Sequence, residues 1–434
     1  MRTPPCQAQP AATDSSATQT RTGLFAAAAL LPVVLAACFL GYREVWSPDI
    51  GFHLALGRWI VQHGWAPLHE PLTYTLGDRL FLDTQWLFQA AIWRLFETGG
   101  ARRLVVANLA ATLAACGIAL ARTRARAGSL TPLDAALLLC FFLGNMWETR
   151  PHTASWVFLC LVLAVLETYG RKPRAIIWVL PFLMVAWVNF HSLYVLGLVA
   201  IAAHVAGQFL EQRRVDVRLA MAAAVSLAAC FLNPYGARSL FYPITQLGTM
   251  QRGSAFTGEG GLVEFGSPFE TWLYTANKAL VLYQPHLFLQ LFGLVAVIAL
   301  VAAWRPGGGR GLDWRERLVV ICFAYVFLVA RKNFGYFALA TFPFVSAGVH
   351  RIVARGGMTI RRAGAAALVC ATAAIVVVLQ VRSGWFYASQ RGNFRSGHAF
   401  NDAALPVRAT AFLNSAGLPP GRMLNSVGDG GYLA

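Results

Sequence analysis

Apolar residues run along this chain in blocks close to the roughly 17 to 25 residues that cross a bilayer's hydrocarbon core. The blocks fall at residues 23–42, 101–121, 131–146, 152–169, 175–190, 192–211, 217–232, 285–304, 317–331, 335–352 and 364–382. Short polar connections separate most of them. The pattern predicts an all-α polytopic membrane protein with about eleven transmembrane helices.

The remaining segments read differently. Residues 1–22 are polar, rich in Pro, Ala and Thr, and without period, as in a disordered tail. The first apolar block is too long for the core of a signal peptide and is followed by many more, so it counts as a crossing. The connection 43–100 carries two amphipathic stretches, 50–63 and 84–96, which read as helices lying at the membrane interface. A second long connection, 233–284, is rich in Gly, Phe and Tyr. From 384 to 434 the composition becomes soluble. There ALPVRATAFLNSAG predicts an amphipathic helix ended by GLPPG, and RMLNSV predicts the start of a strand. The sequence stops mid-pattern at DGGYLA, as a fragment would. The glycine-rich run 307–311 does not join a strand to a helix, so it reads as a linker and not as a phosphate loop.

Composition agrees with a membrane bundle: 57% of the 434 residues are hydrophobic and only 13% are charged, against about a quarter charged in soluble domains. The net charge of +17 comes from 36 Lys and Arg against 19 Asp and Glu. These cations sit in short connections and form no folded soluble patch, so they argue for anionic lipid and topology, not for nucleic acid. With a cytoplasmic N-terminus, five connections lie inside: 122–126, 171–174, 213–218, 305–317 and 351–362. Each holds at least three Lys or Arg. The opposite connections hold Glu44, Asp49, Glu70, Asp78, Asp83, Glu148, Glu259, Glu264 and Glu270. A multi-pass membrane location, with a cytoplasmic N-terminus and a non-cytoplasmic C-terminus, is the resulting expectation. Seven of the eight cysteines lie inside apolar blocks and none forms a CxxC pair, so they read as small hydrophobes.

Candidate chemistry gathers on the non-cytoplasmic side. Asp49 follows Pro48 and opens an amphipathic helix, where it either caps that helix or acts from the bilayer edge. A partly desolvated carboxylate there could serve as a general base or coordinate a divalent cation. His53, Glu70 and Asp83 share its connection; Glu44 reads as the partner of Arg43 or another surface cation. Arg150 and His152 in ETRPHTASW, Asn189 and His191 in WVNFHS, Asn233 in LNPYG, and Arg331, Lys332 and Asn333 in VARKNFGYF reach the same membrane level. Singly, each could snorkel toward headgroups. Together, Arg and His donors facing a carboxylate suit a phosphate-containing substrate. Trp46, Trp65, Trp147, Trp304 and Trp385 read as aromatic-belt anchors.

The strings SPDIGFHLALGRWIVQHGWAPLHEPLTYT and DTQWLFQAAIWRLFETGGARRL, with RPHTASW, WVNFHSLYVLGL, FLNPYG, RKNFGYFALATFPF and DGGYL, span nearly the whole chain. Their order resembles bacterial GT-C-type membrane glycosyltransferases, nearest the dolichyl-phosphate-mannose-protein-mannosyltransferase-like and RgtA/B/C/D-like group. The resemblance implies a GT-C-like bundle and a polyprenyl-phosphate-sugar donor. It also implies an acid in the first periplasmic loop, Asp49 here, with Arg150, His152, His191 and Arg331 toward the donor's phosphate and sugar. Gly51 and Phe52 stand where the family often has paired aromatics. Thr84 and Gln85 replace a frequent His-Glu pair. No acidic pair flanks Asp49, so the resemblance implies no certain cofactor. Two alternatives are a lipid or glycan transporter or flippase, and a non-catalytic membrane scaffold. A transporter predicts mid-membrane polar groups and repeated halves, which the sequence lacks.

Overall fold

The computed structural model describes residues 13–249, 268, 285–304, 311–388, 395–417 and 423–433, except positions 76, 78, 146, 358, 424 and 426. The connection 250–284, apart from Pro268, and most of the glycine-rich run at 307–311 lie outside the described residues, as do Asp78, Glu259, Glu264 and Glu270. The described secondary structure is helical, with isolated bridges and no strand.

Each apolar block is a helix. α1 (Thr13–Gly41) is followed by α2 (Asp49–His63) and α3 (Trp86–Ala127). Then come α4 (Pro132–Gly144), α5 (Pro151–Arg171), α6 (Val179–Phe190), α7 (Val195–Gln212) and α8 (Val217–Ala229). After α9 (Ala237–Thr249) follow α10 (Pro285–Trp304), α11 (Trp314–Val329), α12 (Phe334–Arg355) and α13 (Ile360–Arg382). α14 (Val407–Ser415) and α15 (Val427–Leu433) complete the described chain. Among the described residues, seven helices are long and apolar enough to cross a membrane, and three shorter apolar helices accompany them. The protein is thus a helical membrane protein.

Local sequence explains several boundaries. Thr131 and Asp134 close a capping box around Pro132 at the start of α4, and Asp313 and Glu316 do the same for α11. Gly64 ends α2 at φ 79°, a left-handed cap whose N–H bonds the Ile60 carbonyl. Gly99 and Gly100 leave helical geometry inside α3 and divide it into an amphipathic half and an apolar half. The amphipathic stretch expected at 84–96 is that first half, and it runs into the crossing through a kink.

α12 is apolar on every side from Phe334 to Val345 and is correspondingly buried there. α3, α5, α10 and α11 pack around it, while α1 lies against α4 and α13, and α6 against α8. A second, smaller core sits under α2: Val45, Ile50, Leu54, Phe88, Ile92, Leu104 and Leu405 pack together, with Phe400 and Tyr432 at its edge.

Three expectations are corrected. α1 begins at Thr13, so the backbone is helical well into the stretch read as disordered. Of the stretch RMLNSV read as starting a strand, Met423 and Asn425 are described and lie in no strand, and Val427 opens the helix α15, which docks on α2. Gly51 and Gly431 permit that docking: a Cβ on Gly51 would overlap the Tyr432 backbone, and one on Gly431 would overlap that of Phe52. Burial against α2 then favours a helix over extended chain. Third, the arginines of 122–126 do not form a loop. α3 continues to Ala127, with Arg122 buried and paired to Glu167 on α5 at 2.6 Å, and Arg126 paired to Glu316 on α11.

Candidate active site

At the end of the bundle where α1 stops and α5 begins, the backbone makes an unusual turn. Trp147 takes φ 53°, a left-handed conformation that costs a bulky residue about 1–3 kcal/mol. Its ring is wedged against Gly41, its N–H bonds the Asn145 side chain, and its indole N–H bonds the Phe142 carbonyl. Trp147 is therefore a packed corner residue and not an interfacial anchor. The turn delivers Glu148 and Arg150 to the start of α2.

There the Arg150 guanidinium joins three groups. Its Nη2 lies 3.1 Å from Asp49 Oδ2, and its Nε lies 2.7 Å from Glu148 Oε2 and 2.9 Å from Ser47 Oγ. Pro48 is the N-cap of α2, so Asp49 opens the first turn, where the helix dipole favours a negative charge. Glu148 is buried, whereas the Asp49 side chain is 51% exposed and is the face of the cluster open to a ligand.

His53 stands one helical turn after Asp49, on the same face of α2. Burial pushes its pKa down to about 4; Asp49 opposes that shift and Arg150 adds to it. Its ring meets Phe88 edge-on, and Nδ1 has no hydrogen-bond partner among the described residues. Arg43 completes this side. Burial lowers its pKa to about 10, while Tyr387 and Glu148 favour the charge, and its guanidinium lies over the Trp46 and Tyr387 rings.

Deeper in, His191 ends α6 in an extended conformation and bonds Ser155 at 2.8 Å through Nδ1, while Trp187 donates to the same Ser155 oxygen. His152 packs on Trp156, and its carbonyl accepts a 3.5 Å bond from Tyr336 on α12. Arg150, His191, Lys332 and His53 are all within electrostatic reach of the His152 ring, and Lys332 is within reach of His191. Asp49, His53, Arg150, His152 and His191 therefore form one connected group. Sequence reasoning named Lys332 only with its neighbours in VARKNFGYF and left Glu148 out of the candidate set. Glu148 was noted only as a loop acid, and nothing in the pattern announces the Trp147 turn that buries it beside Arg150. Arg331 shares a 3₁₀ turn with Lys332 and is half-buried.

The other candidates lie elsewhere. Asn189 ties elements together: it accepts from the Trp86 indole and donates to the carbonyls of Val185 and Leu232. Asn233 spends its side chain on a turn, donating to the Cys230 and Gly236 carbonyls and accepting from Tyr235 N–H. Glu70 accepts from the Leu72 N–H in its own loop. Asp83 is buried at the start of α3, where Oδ1 accepts from the Gln85 N–H and the Gln89 amide. Burial raises its pKa to about 7, those hydrogen bonds oppose the shift, and Glu70 adds to it. Asp83 Oδ2 and the amide oxygens of Gln85 and Gln89 are buried without hydrogen-bond partners among the described residues. Glu44 binds Asn401 at 3.0 Å.

Among the described residues no group of three or more His, Cys, Asp and Glu side chains is placed to hold a metal ion. Compared with models of known families and with curated proteins, the chain matches none.

Proposed function

We propose that this chain is a membrane glycosyltransferase that moves a sugar from a polyprenyl-phosphate-linked donor to a lipid, glycan or protein acceptor. The observation that carries the reading is the half-exposed Asp49 carboxylate held beside Arg150, whose charge is already balanced by the buried Glu148. Because the Asp49 side chain is half exposed, an acceptor hydroxyl can reach its carboxylate. In the proposed reaction an acceptor hydroxyl attacks the anomeric carbon and its proton passes to Asp49. The bond from the anomeric carbon to the phosphate oxygen breaks, and the polyprenyl phosphate leaves as an anion. We assign stabilisation of that anion to Arg150, with Lys332 and its chain neighbour Arg331 as further cations, since a leaving phosphate is stabilised by fixed positive donors. His53, neutral at pH 7 by its lowered pKa, would not add a second charge beside Asp49.

The same reading makes all eleven apolar blocks crossings of a GT-C-like bundle. Its N-terminus is cytoplasmic, while the Asp49 connection and residues 384–434 are periplasmic, in a bacterial inner membrane. The arginine-rich connections support that orientation. α2 and the first half of α3 are then the interfacial helices of the first periplasmic loop. The test is transfer of labelled sugar from a polyprenyl-phosphate donor in membranes carrying Asp49→Asn. Loss of transfer with normal insertion is expected; full activity would sink the assignment.

A further inference from the structure

The end of the bundle opposite Asp49 holds a cavity of about 470 Å3 that sugar transfer does not use. It opens between the last turns of α5 and α7, the first turn of α8 and the start of α11. Tyr169, His204, Gln208, Arg214, Val217 and Arg315 line it.

Arg315 reaches this cavity because two glycines make room for it. A Cβ on Gly207 would overlap the Arg315 backbone, and one on Gly170 would stand 2.9 Å from Nη1 of Arg315. The guanidinium therefore lies in the groove between α5 and α7, anchored through Nη2 by Asp313 at 2.9 Å. Arg214 lines the cavity, and Arg171, Lys172, Arg174, Arg213 and Arg218 stand in the chain beside its lining positions Gly170, Pro173, Arg214 and Val217. Two acids stand among them, and both are engaged. Asp216 accepts from the Tyr169 hydroxyl and the Arg218 N–H, and Glu211 accepts from the Trp314 N–H. An anion entering the cavity meets a surplus of positive charge.

The mouth is also continuous with an apolar face. Val217 lines the cavity and is 69% exposed; Met221 and Val225, one and two turns further along α8, are exposed as well. Residues four apart share a helix face, so a single apolar stripe runs from the cavity down the outside of the bundle. A soluble anion would use the arginines and ignore the stripe. A molecule with an anionic head and a hydrocarbon chain would use both.

We propose that this cavity binds the headgroup of an anionic phospholipid, with its phosphate at Arg315 and an acyl chain along Val217, Met221 and Val225. Clusters of four to eight cations beside membrane helices recognise such lipids, and basic pockets between helices take their headgroups. The site does not depend on the proposed transfer reaction.

The test uses the full chain purified in neutral detergent, followed by thermal unfolding and native mass spectrometry. Phosphatidylglycerol, phosphatidylcholine and inorganic phosphate are added at equal concentrations. Phosphatidylglycerol is expected to raise the unfolding midpoint by several degrees and to remain as one bound lipid, with neither of the other probes matching it. Arg315→Gln should abolish the shift. Gln212 is an exposed lining residue at the end of α7, and Gln212→Trp fills the rim there; it should keep the lipid-free midpoint and weaken phosphatidylglycerol binding about tenfold or more. An equal response to phosphatidylcholine, a full response to inorganic phosphate alone, or an undiminished shift in Gln212→Trp would each overturn the proposal.

Discussion

Arg122 donates through Nη1 to the carbonyl of Leu339, the one carbonyl of α12 that Pro343 leaves without its helical donor. Nη2 bonds the neighbouring Ala340 carbonyl, and the Glu167 carboxylate balances the charge from α5. One side chain thus satisfies a proline break and joins three helices. Removing one partner of a buried ion pair costs about 3–5 kcal/mol, because the other charge is left buried. Arg122→Ala should lower stability by that order in denaturant titrations, and Glu167→Gln in the same chain should return part of it. A variant as stable as the parent would show that the contact contributes nothing.

Arg150→Lys keeps a positive charge but cannot span Asp49, Glu148 and Ser47 at once, since an ammonium lacks the planar fork. Under the proposed function, transfer should fall about ten- to a hundredfold, equivalent to roughly 1.4–2.7 kcal/mol of barrier. Glu148→Gln leaves Arg150 to pair with Asp49 alone and should lower kcat more than it raises donor KM. Steady-state kinetics with a labelled donor distinguish these outcomes.

His53 and Asp83 carry opposite pH dependences. His53 has its folded pKa depressed to about 4, below the unfolded value near 6.5. The neutral ring's contribution is fully present above pH 6.5 and is lost as pH falls toward 4. For Asp83 the folded pKa is raised to about 7, above the unfolded value near 3.9. Below pH 4 the carboxyl is neutral in both states and ionisation takes nothing from stability, so stability falls as pH rises from 4 to 7. Each effect is worth roughly 3–4 kcal/mol at full extent, and over pH 4–6.5 they offset. Asp83→Asn should make stability rise with pH across that window, whereas His53→Gln should make it fall. Unfolding midpoints of the two variants at pH 4.5 and 7 check the signs.

Gly431→Ala places a Cβ inside the Phe52 backbone. The α15 segment should detach from α2, and limited proteolysis should cleave the residues after 416 much faster than in the parent. The long helices should resist as before. Unchanged cleavage would mean that the contact between α2 and α15 is not tight.

Much of this was readable in advance, for local reasons. Apolar block length marks a helix, so each of the eleven blocks is helical, and the amphipathic stretch 50–63 corresponds to α2. Asp49, Arg150, His152 and His191 could be placed together because each stands next to a helix end on the same side. What escaped depends on partners distant in sequence. Counting arginines cannot tell a loop cation from Arg122, whose destination, Leu339, is 217 positions away. Glu148 joined the site through the left-handed turn at Trp147, an unusual conformation for a tryptophan. The fit of Gly431 in DGGYL against Phe52 likewise depends on a partner far away in the chain.

That same glycine contact bears on the order in which the protein is assembled. α2 emerges early in synthesis, yet its upper face is completed only by Phe400, Leu405 and Tyr432, and Asn401 reaches Glu44 across 357 positions. Contacts of such separation form late, since the loop they close must be ordered first. Under the proposed topology, the helix that carries Asp49 would therefore wait with an apolar face uncovered, open to premature association, until the residues after 400 are made.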